Sequence, residues 1–276
     1  MPLLLPGKSA LLVSRKFHRN GGTLQINATK AKLKAGQTVY GCFVRYPDAS
    51  FAEVLGYQGW DFLVFDGEHG TIEPRDCENL VRAAELRKVT PIVRVPANSP
   101  PVILRYMDTG AQGVHVPWVN SAEEARAVVR SVKYQPLGNR GLAAVRAADY
   151  GQQCSLAEYV RQANAETLVV IHIETAEAIP HLPEILAVEG IDVIFIGPTD
   201  LAHSLGEPGN PRSPKVKAAT EEIANAVLRS DRALGIMVGD APSAREWKDR
   251  GARYITVTVE AIFCPAAQTY LKTVHS

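Results

Sequence analysis

The chain predicts a single closed (β/α)₈ barrel, a TIM barrel of eight parallel strands, on three observations. From Thr38 onward, short apolar runs alternate eight times with helical patterns. The runs are β-branched and apolar throughout, as strands buried on both faces must be. Several helical patterns open near a proline and close on a glycine, with Gly56, Gly59, Gly110, Gly190 and Gly251 in the closing role. An open doubly wound sheet is the alternative, and the lack of a GxGxxG turn after the first strand weakens it.

The expected strands are Thr38–Val44, Phe62–Phe65, Pro91–Val93, Gly113–Val116, Leu168–Ile173, Val193–Ile196, Gly235–Val238 and Tyr254–Val259. The expected helices are Phe51–Tyr57, Asp76–Lys88, Pro100–Thr109, Ala122–Lys133, Ala157–Asn164, Ala176–Ala187, Pro214–Leu234 and Pro242–Arg250. One barrel domain over residues 26–276 accounts for all of them. Residues 1–25 read as a poorly ordered N-terminal extension; a presequence-like or partner-binding arm is the alternative for this stretch, which has basic but no acidic residues.

Composition narrows the function classes. Thirty Lys and Arg against 29 acids leave a net charge of +1, so nothing draws the chain toward nucleic acid. No apolar run approaches the roughly 20 residues of a membrane span. Cys42, Cys77, Cys154 and Cys264 lack CxxC spacing, which argues against a disulfide framework or thiolate zinc site and fits a cytoplasmic protein.

Barrel enzymes place their chemistry at the C-terminal ends of strands. There the second strand leads into Asp66-Gly67-Glu68-His69-Gly70, and the third ends in Arg94. The fifth ends in Glu174, and the sixth leads through Gly197-Pro198-Thr199 to Asp200. Two carboxylates at neighbouring strand tips repel unless a cation sits between them, so Glu174 and Asp200 are the candidate metal ligands. The competing reading makes each acid a helix cap. Carboxylate ligation suits Mg²⁺ or Mn²⁺ better than Zn²⁺. A 2-oxo acid would chelate such an ion, which would polarise the ketone and stabilise an enolate. Arg94 would offer a positive fork to the developing oxyanion.

Asp66 and His69 stand three apart on a Gly-flanked loop, where a carboxylate could orient an imidazole as general base; a His satisfied by a loop carbonyl is the alternative. His172 shares a strand face with Glu174 and either binds the substrate carboxylate or adds a ligand, the first being favoured. His115 reads as a satisfied barrel histidine, and Glu68 as a brace for the loop carrying His69. The stretch Pro136–Gly141 suits either a loop over the rim or a plain connection.

These residues together resemble the HpcH/HpaI family of class II pyruvate aldolases. The resemblance runs through Phe65–Gly70, Val93–Pro96, Gly110–Pro117, Asn120–Ala125, Gly138–Gly141, Ile173–Thr175, Val188–Asp192, Gly197–Leu201 and Gly251–Tyr254, in order, from Ala28 to the C-terminus. It implies a hexamer of barrels that exchange their last helices, and a Mg²⁺, Mn²⁺ or Co²⁺ ion on Glu174 and Asp200. It implies that Arg94 binds the pyruvate keto oxygen, that Asp66 and His69 form the catalytic dyad, and that Asp108 reaches a neighbouring subunit's site. The reaction it implies is retro-aldol cleavage of a 4-hydroxy-2-oxo acid to pyruvate and an aldehyde. Oxaloacetate decarboxylation or a macrophomate-synthase-like reaction of the same enolate is the runner-up, and a non-catalytic scaffold a distant third.

The chain departs from the family pattern at several positions. His172 stands where Gln usually contacts the pyruvate carboxylate. Thr199 replaces an Ala whose backbone amide helps to hold substrate beside the metal-binding Asp. Glu260 replaces an Asp, and Trp118 and Arg45 are larger than usual near the rim.

Overall fold

The computed structural model describes residues 26–276. The expectation for residues 1–25 lies outside the described residues. Eight parallel strands close in chain order, and β1 (Val39–Val44) pairs with both β2 (Phe62–Asp66) and β8 (Tyr254–Thr258) to complete the ring. Between them run β3 (Thr90–Arg94), β4 (Gly113–Val116), β5 (Leu168–Ile173), β6 (Val193–Ile196) and β7 (Ala233–Met237).

A short α1 (Ala28–Lys34) precedes the barrel. Around the outside follow α2 (Ala49–Gly56), α3 (Pro74–Leu86), α4 (Pro100–Met107), α5 (Ala122–Val132) and α6 (Leu156–Glu166). The ring continues with α7 (Leu182–Leu186), α8 (Pro198–Ser204), α9 (Pro214–Leu228), α10 (Ala241–Asp249) and α11 (Val259–Val274).

Side chains alternate across each strand, and this alternation sorts the core into two parts. Val39, Phe43, Phe62, Val64, Ile92, Leu168, Val170, Val193, Phe195 and Tyr254 fill the barrel interior, while Cys42, Leu63, Phe65, Val93, Val114 and Ile171 face outward under the helices. Continuing the inward series up each strand arrives at Asp66 above Val64, Arg94 above Ile92, and His172 then Glu174 above Val170. Gly41 joins the interior series without a side chain because a Cβ there would stand 2.0 Å from the Phe62 ring.

Helix α1 closes the lower end. Asn27, which caps it, donates Nδ2–H to the Gln112 carbonyl at 2.9 Å. Thr29 Oγ1 meets Thr90 Oγ1 at 2.8 Å, and Lys30 Nζ reaches the Thr167 carbonyl at 2.7 Å and Asp192 at 3.0 Å. These partners lie at the starts of β3, β4, β5 and β6. With that end sealed by buried polar contacts, the C-terminal rim is left for chemistry.

The elements depart from expectation in a few places. The helix expected over Ala176–Ala187 is a 3₁₀ turn at Ile179–His181 followed by the five-residue α7. Pro180 and Pro183 each remove a backbone donor, so a continuous helix cannot form there. The helix expected to reach Leu234 stops at Leu228; Leu234 belongs to β7, buried under the helices. Pro136–Gly141 is no rim loop. Its amides bind the carbonyls of Arg130, Lys133 and Tyr134 at the far end of α5. Among the described residues, no helix is long and apolar enough to cross a membrane.

Candidate active site

The ends of β2, β3 and β5 meet at one rim, with Gly197 after β6 beside them, and the structure shows how their side chains are wired together. Arg94 is 5% exposed and grips Asp66 with two bonds, Nε to Oδ1 at 2.8 Å and Nη2 to Oδ2 at 2.5 Å. Its Nη1 pairs with Glu68 Oε2 at 3.0 Å. Asp66 also accepts the backbone amides of Glu68 and His69 on Oδ1 and Arg45 Nε on Oδ2. Burial pushes the Asp66 carboxyl up, but Arg94 and the two amides outweigh it and hold it below its usual value.

The Asp66–His69 dyad expected from the spacing is therefore a turn rather than a side-chain pair. Asp66 binds the His69 backbone amide at 3.2 Å, its two oxygens are taken by guanidinium and amide donors, and His69 is exposed on the loop. The Arg94 fork claims the carboxylate that the imidazole would need.

Glu174 is 1% exposed. Its Oε1 accepts the Trp118 backbone amide at 2.9 Å, and its Oε2 meets His172 Nδ1 at 3.1 Å. Burial raises its pKa, but His172, the Trp118 amide and Arg94 prevail and keep it below the ordinary carboxyl value. Glu174 is thus no helix cap. Glu68 goes the other way: burial and the nearby Glu174 charge push its carboxyl up against the pull of Arg94. Trp118 clasps both acids, since its Nε1 donates to Glu68 Oε1 at 3.1 Å while its backbone N–H holds Glu174. It does so with φ at +58°, a conformation that an indole-bearing residue rarely adopts.

His172 has both ring nitrogens engaged, Nδ1 with Glu174 and Nε2 with His115 at 2.9 Å. The geometry therefore offers no free N–H for the substrate contact expected of it. His115 is satisfied on both sides, as its strand setting implied. Asp108 caps the far end of α4 and accepts Arg140 Nη2 at 2.7 Å, away from the rim group.

Asp200 lies half-buried in the first turn of α8, with Thr199 exposed beside it. The N-cap of α8 is Gly197, where a Cβ would fall 2.4 Å from Glu174 Oε2, so glycine keeps space open beside that carboxylate. Among the described residues, no group of three or more His, Cys, Asp or Glu forms a ready-made metal cage. Two carboxylates, one buried and ionised with a lone pair free on each oxygen, fit instead an oxygen-liganded divalent ion completed by water and substrate. Sequence reasoning had no signal for the Trp118 clasp, the Glu68–Arg94 pair or the room at Gly197, because each depends on which residues the barrel brings side by side.

An arginine and carboxylates gathered at the C-terminal rim of a parallel barrel stand where barrel enzymes carry their chemistry. The model of the HpcH/HpaI aldolase/citrate lyase family matches residues 39–266, and the chain belongs to that family. It is 36% identical over 236 residues to a 4-hydroxy-2-oxo-heptane-1,7-dioate aldolase of Escherichia coli, covering 85% of this chain and 89% of that one. It is 43% identical over 208 residues to a 2-dehydro-3,6-dideoxy-6-sulfogluconate aldolase of Pseudomonas putida, covering 75% and 79%. A crystal structure of an HpcH/HpaI aldolase/citrate lyase family protein from Burkholderia cenocepacia superposes with a TM-score of 0.86 at 33% identity, covering 91% of this chain and all of that one.

Proposed function

We propose that this chain is a divalent-metal-dependent aldolase, a carbon–carbon lyase that cleaves a 4-hydroxy-2-oxo acid to pyruvate and an aldehyde. The observation that carries the reading is Arg94. It is buried and clamped by Asp66 and Glu68, and it still has two of its five N–H groups for a substrate oxyanion. Both aldolase relatives act on 2-oxo acids by their names, which favours carbon–carbon cleavage over decarboxylation as the fate of the enolate.

Glu174 and Asp200 would hold the ion, with Mg²⁺ or Mn²⁺ suiting these oxygen donors best and Co²⁺ tolerated. When bound, it supplies Lewis acidity to the 2-oxo group. Arg94 then faces the oxygen on which charge develops, and Asp66 keeps its guanidinium from rotating away. Cleavage breaks C3–C4 as a base removes the proton from the C4 hydroxyl; the carbanion equivalent left at C3 takes a proton to give the pyruvate methyl group. His69, exposed at the rim on a loop pinned by Asp66, is the group placed to exchange those protons. Thr199 and Asp200, in the first turn of α8, would line the carboxylate end of the substrate.

Asp108 lies at the far end of α4, the opposite end of the barrel from this site, and would act instead in the site of a neighbouring subunit of a hexamer. Helix α11 supports the exchange of last helices: Ile262, Phe263, Tyr270, Leu271 and Val274 are all exposed on it. Beside it runs an apolar groove of about 620 Å³ lined by Trp60, Ile255 and Ile262. Four unpaired cysteines support a cytoplasmic location.

The test is to add metal-stripped protein to pyruvate and a panel of aldehydes, with and without Mg²⁺ or Mn²⁺. Metal-dependent aldol product is expected. Carbon dioxide release from oxaloacetate without any aldol product would overturn the aldolase assignment.

A further inference from the structure

Below the rim, the barrel interior holds a row of polar side chains leading to Glu174, three of which no step above uses. Tyr254 Oη lies 2.7 Å from His115 Nε2, His115 Nδ1 lies 2.9 Å from His172 Nε2, and His172 Nδ1 lies 3.1 Å from Glu174 Oε2. The four residues come from β8, β4 and the end of β5, and none is more than 1% exposed. Phe43 and Phe195 enclose them: Phe43 meets the His115 ring edge-on at 5.4 Å, and Phe195 lies 4.7 Å from the His172 ring. A polar row in such a setting survives only when every donor and acceptor is matched.

Matching them leaves one arrangement for neutral rings. An ionised carboxylate only accepts, so His172 donates Nδ1–H to Glu174. Its Nε2 is then a lone pair and must receive Nδ1–H from His115. His115 Nε2 is in turn bare and must receive the Tyr254 hydroxyl proton. The chain runs one way, from phenol to carboxylate. Burial, His172 and Arg94 all push His115 well below the usual imidazole value, which keeps it neutral. Burial likewise holds the Tyr254 phenol protonated and able to donate.

We propose that Tyr254 and His115 are positioning residues that fix the tautomer and ring orientation of His172, and through it the Glu174 carboxylate. His172 is thereby the brace of the β5 acid. With Oε2 held from below and Oε1 held by the Trp118 amide, Glu174 cannot swing, and its remaining lone pairs are set before any ligand arrives. Support of this kind around a ligating carboxylate typically changes metal affinity by about 10- to 100-fold. This consequence rests on the reading of Glu174 as a metal ligand; the tautomers do not.

The experiment is a long-range ¹H–¹⁵N spectrum of metal-free protein labelled at histidine nitrogens, followed by Mn²⁺ titration of three variants. His115 and His172 are each expected to show a protonated Nδ1 and a bare Nε2. Tyr254→Phe keeps the ring stacked on Phe62, whose centroid is 4.3 Å away, and is expected to shift the His172 signals across the intervening ring. His115→Leu is expected to weaken Mn²⁺ binding by about tenfold or more. His115→Gln, whose amide donates to His172 and accepts from Tyr254, is expected to restore most of it, a rescue that loss of packing alone would not give. An Nε2–H tautomer or a doubly protonated ring at either histidine overturns the proposal, as does equal Mn²⁺ affinity in wild type and His115→Leu. A wild-type protein that binds no Mn²⁺ but shows the stated tautomers would refute the metal assignment and leave the chain of hydrogen bonds standing.

Discussion

Arg94 and Asp66 form a two-bond buried pair at the top of adjacent strands, in register across β2 and β3. Each depends on the other. Asp66 is fully buried and would be an uncompensated charge without the guanidinium, and Arg94 would lose the plane that the proposed substrate contact requires. Asp66→Ala is expected to destabilise the protein by roughly 3 kcal/mol, as removal of one partner of a buried pair does. Arg94→Lys should fold but lose about 100-fold or more in kcat, because an ammonium cannot make the fork. Urea denaturation and steady-state kinetics check the two halves; a fully active Arg94→Lys would refute the role given to the fork.

Gly197→Ala tests the space beside Glu174. The added methyl would meet Oε2 at 2.4 Å, so the carboxylate must rotate off its His172 bond. Mn²⁺ affinity is expected to fall by about tenfold or more, together with a lower Tm from the broken buried bond, read by calorimetry and thermal melts.

Trp118 offers a test of substrate choice apart from the shared chemistry. Trp118→Phe keeps the backbone N–H on Glu174 and removes the Nε1 bond to Glu68, together with part of the indole wall at the rim. Aldehyde KM values are expected to shift several-fold while proton exchange at pyruvate C3 stays within about twofold. Equal loss of both would place Trp118 in the chemistry itself.

Lys133 gives a pH signature at the opposite end of the barrel. Burial first, then the neighbouring Lys30, lowers its pKa from 10.5 to about 7. Its Nζ donates to the Asn164 and Thr167 carbonyls, bonds that a neutral amine keeps. Because the folded value lies below the unfolded one, the unfolded chain holds the extra proton between about pH 7 and 10.5, and this residue's contribution to stability rises with pH across that window. Below pH 7 the whole penalty is present. The burial-raised thiol of Cys77, at about 12, works in the opposite sense at high pH. The quantity to measure is therefore wild type minus Lys133→Met, which should climb between pH 7 and 10; a flat difference contradicts the shift.

The strand set was legible because parallel barrel strands are apolar on both faces, and Glu174 and Arg94 stood out as charges where such runs end. What stayed hidden was set by contact rather than by pattern. The spacing of Asp66 and His69 allowed a pairing but carried no sign that Arg94 would take both oxygens. Tyr254 and His115 are 139 residues apart in the chain, and nothing local in either strand announces that they share a proton. Helix α1 has a readable cap at Asn27, but its meaning as the lid of the lower end depends on Gln112, Thr167 and Asp192, which only closure of the barrel brings beneath it.

Hydrogen exchange at the methyl group of pyruvate in D₂O, followed by proton NMR, reads the metal-dependent enolate step most directly. Enolate formation from a 2-oxo acid needs no knowledge of the aldehyde, so this reads the shared chemistry alone. Exchange is expected only when Mg²⁺ or Mn²⁺ is added to metal-stripped protein, and it should vanish in Glu174→Gln and fall at least about 100-fold in Arg94→Lys. Exchange that proceeds unchanged in Glu174→Gln, or that needs no metal, would rule out a metal-dependent enolate held at Glu174.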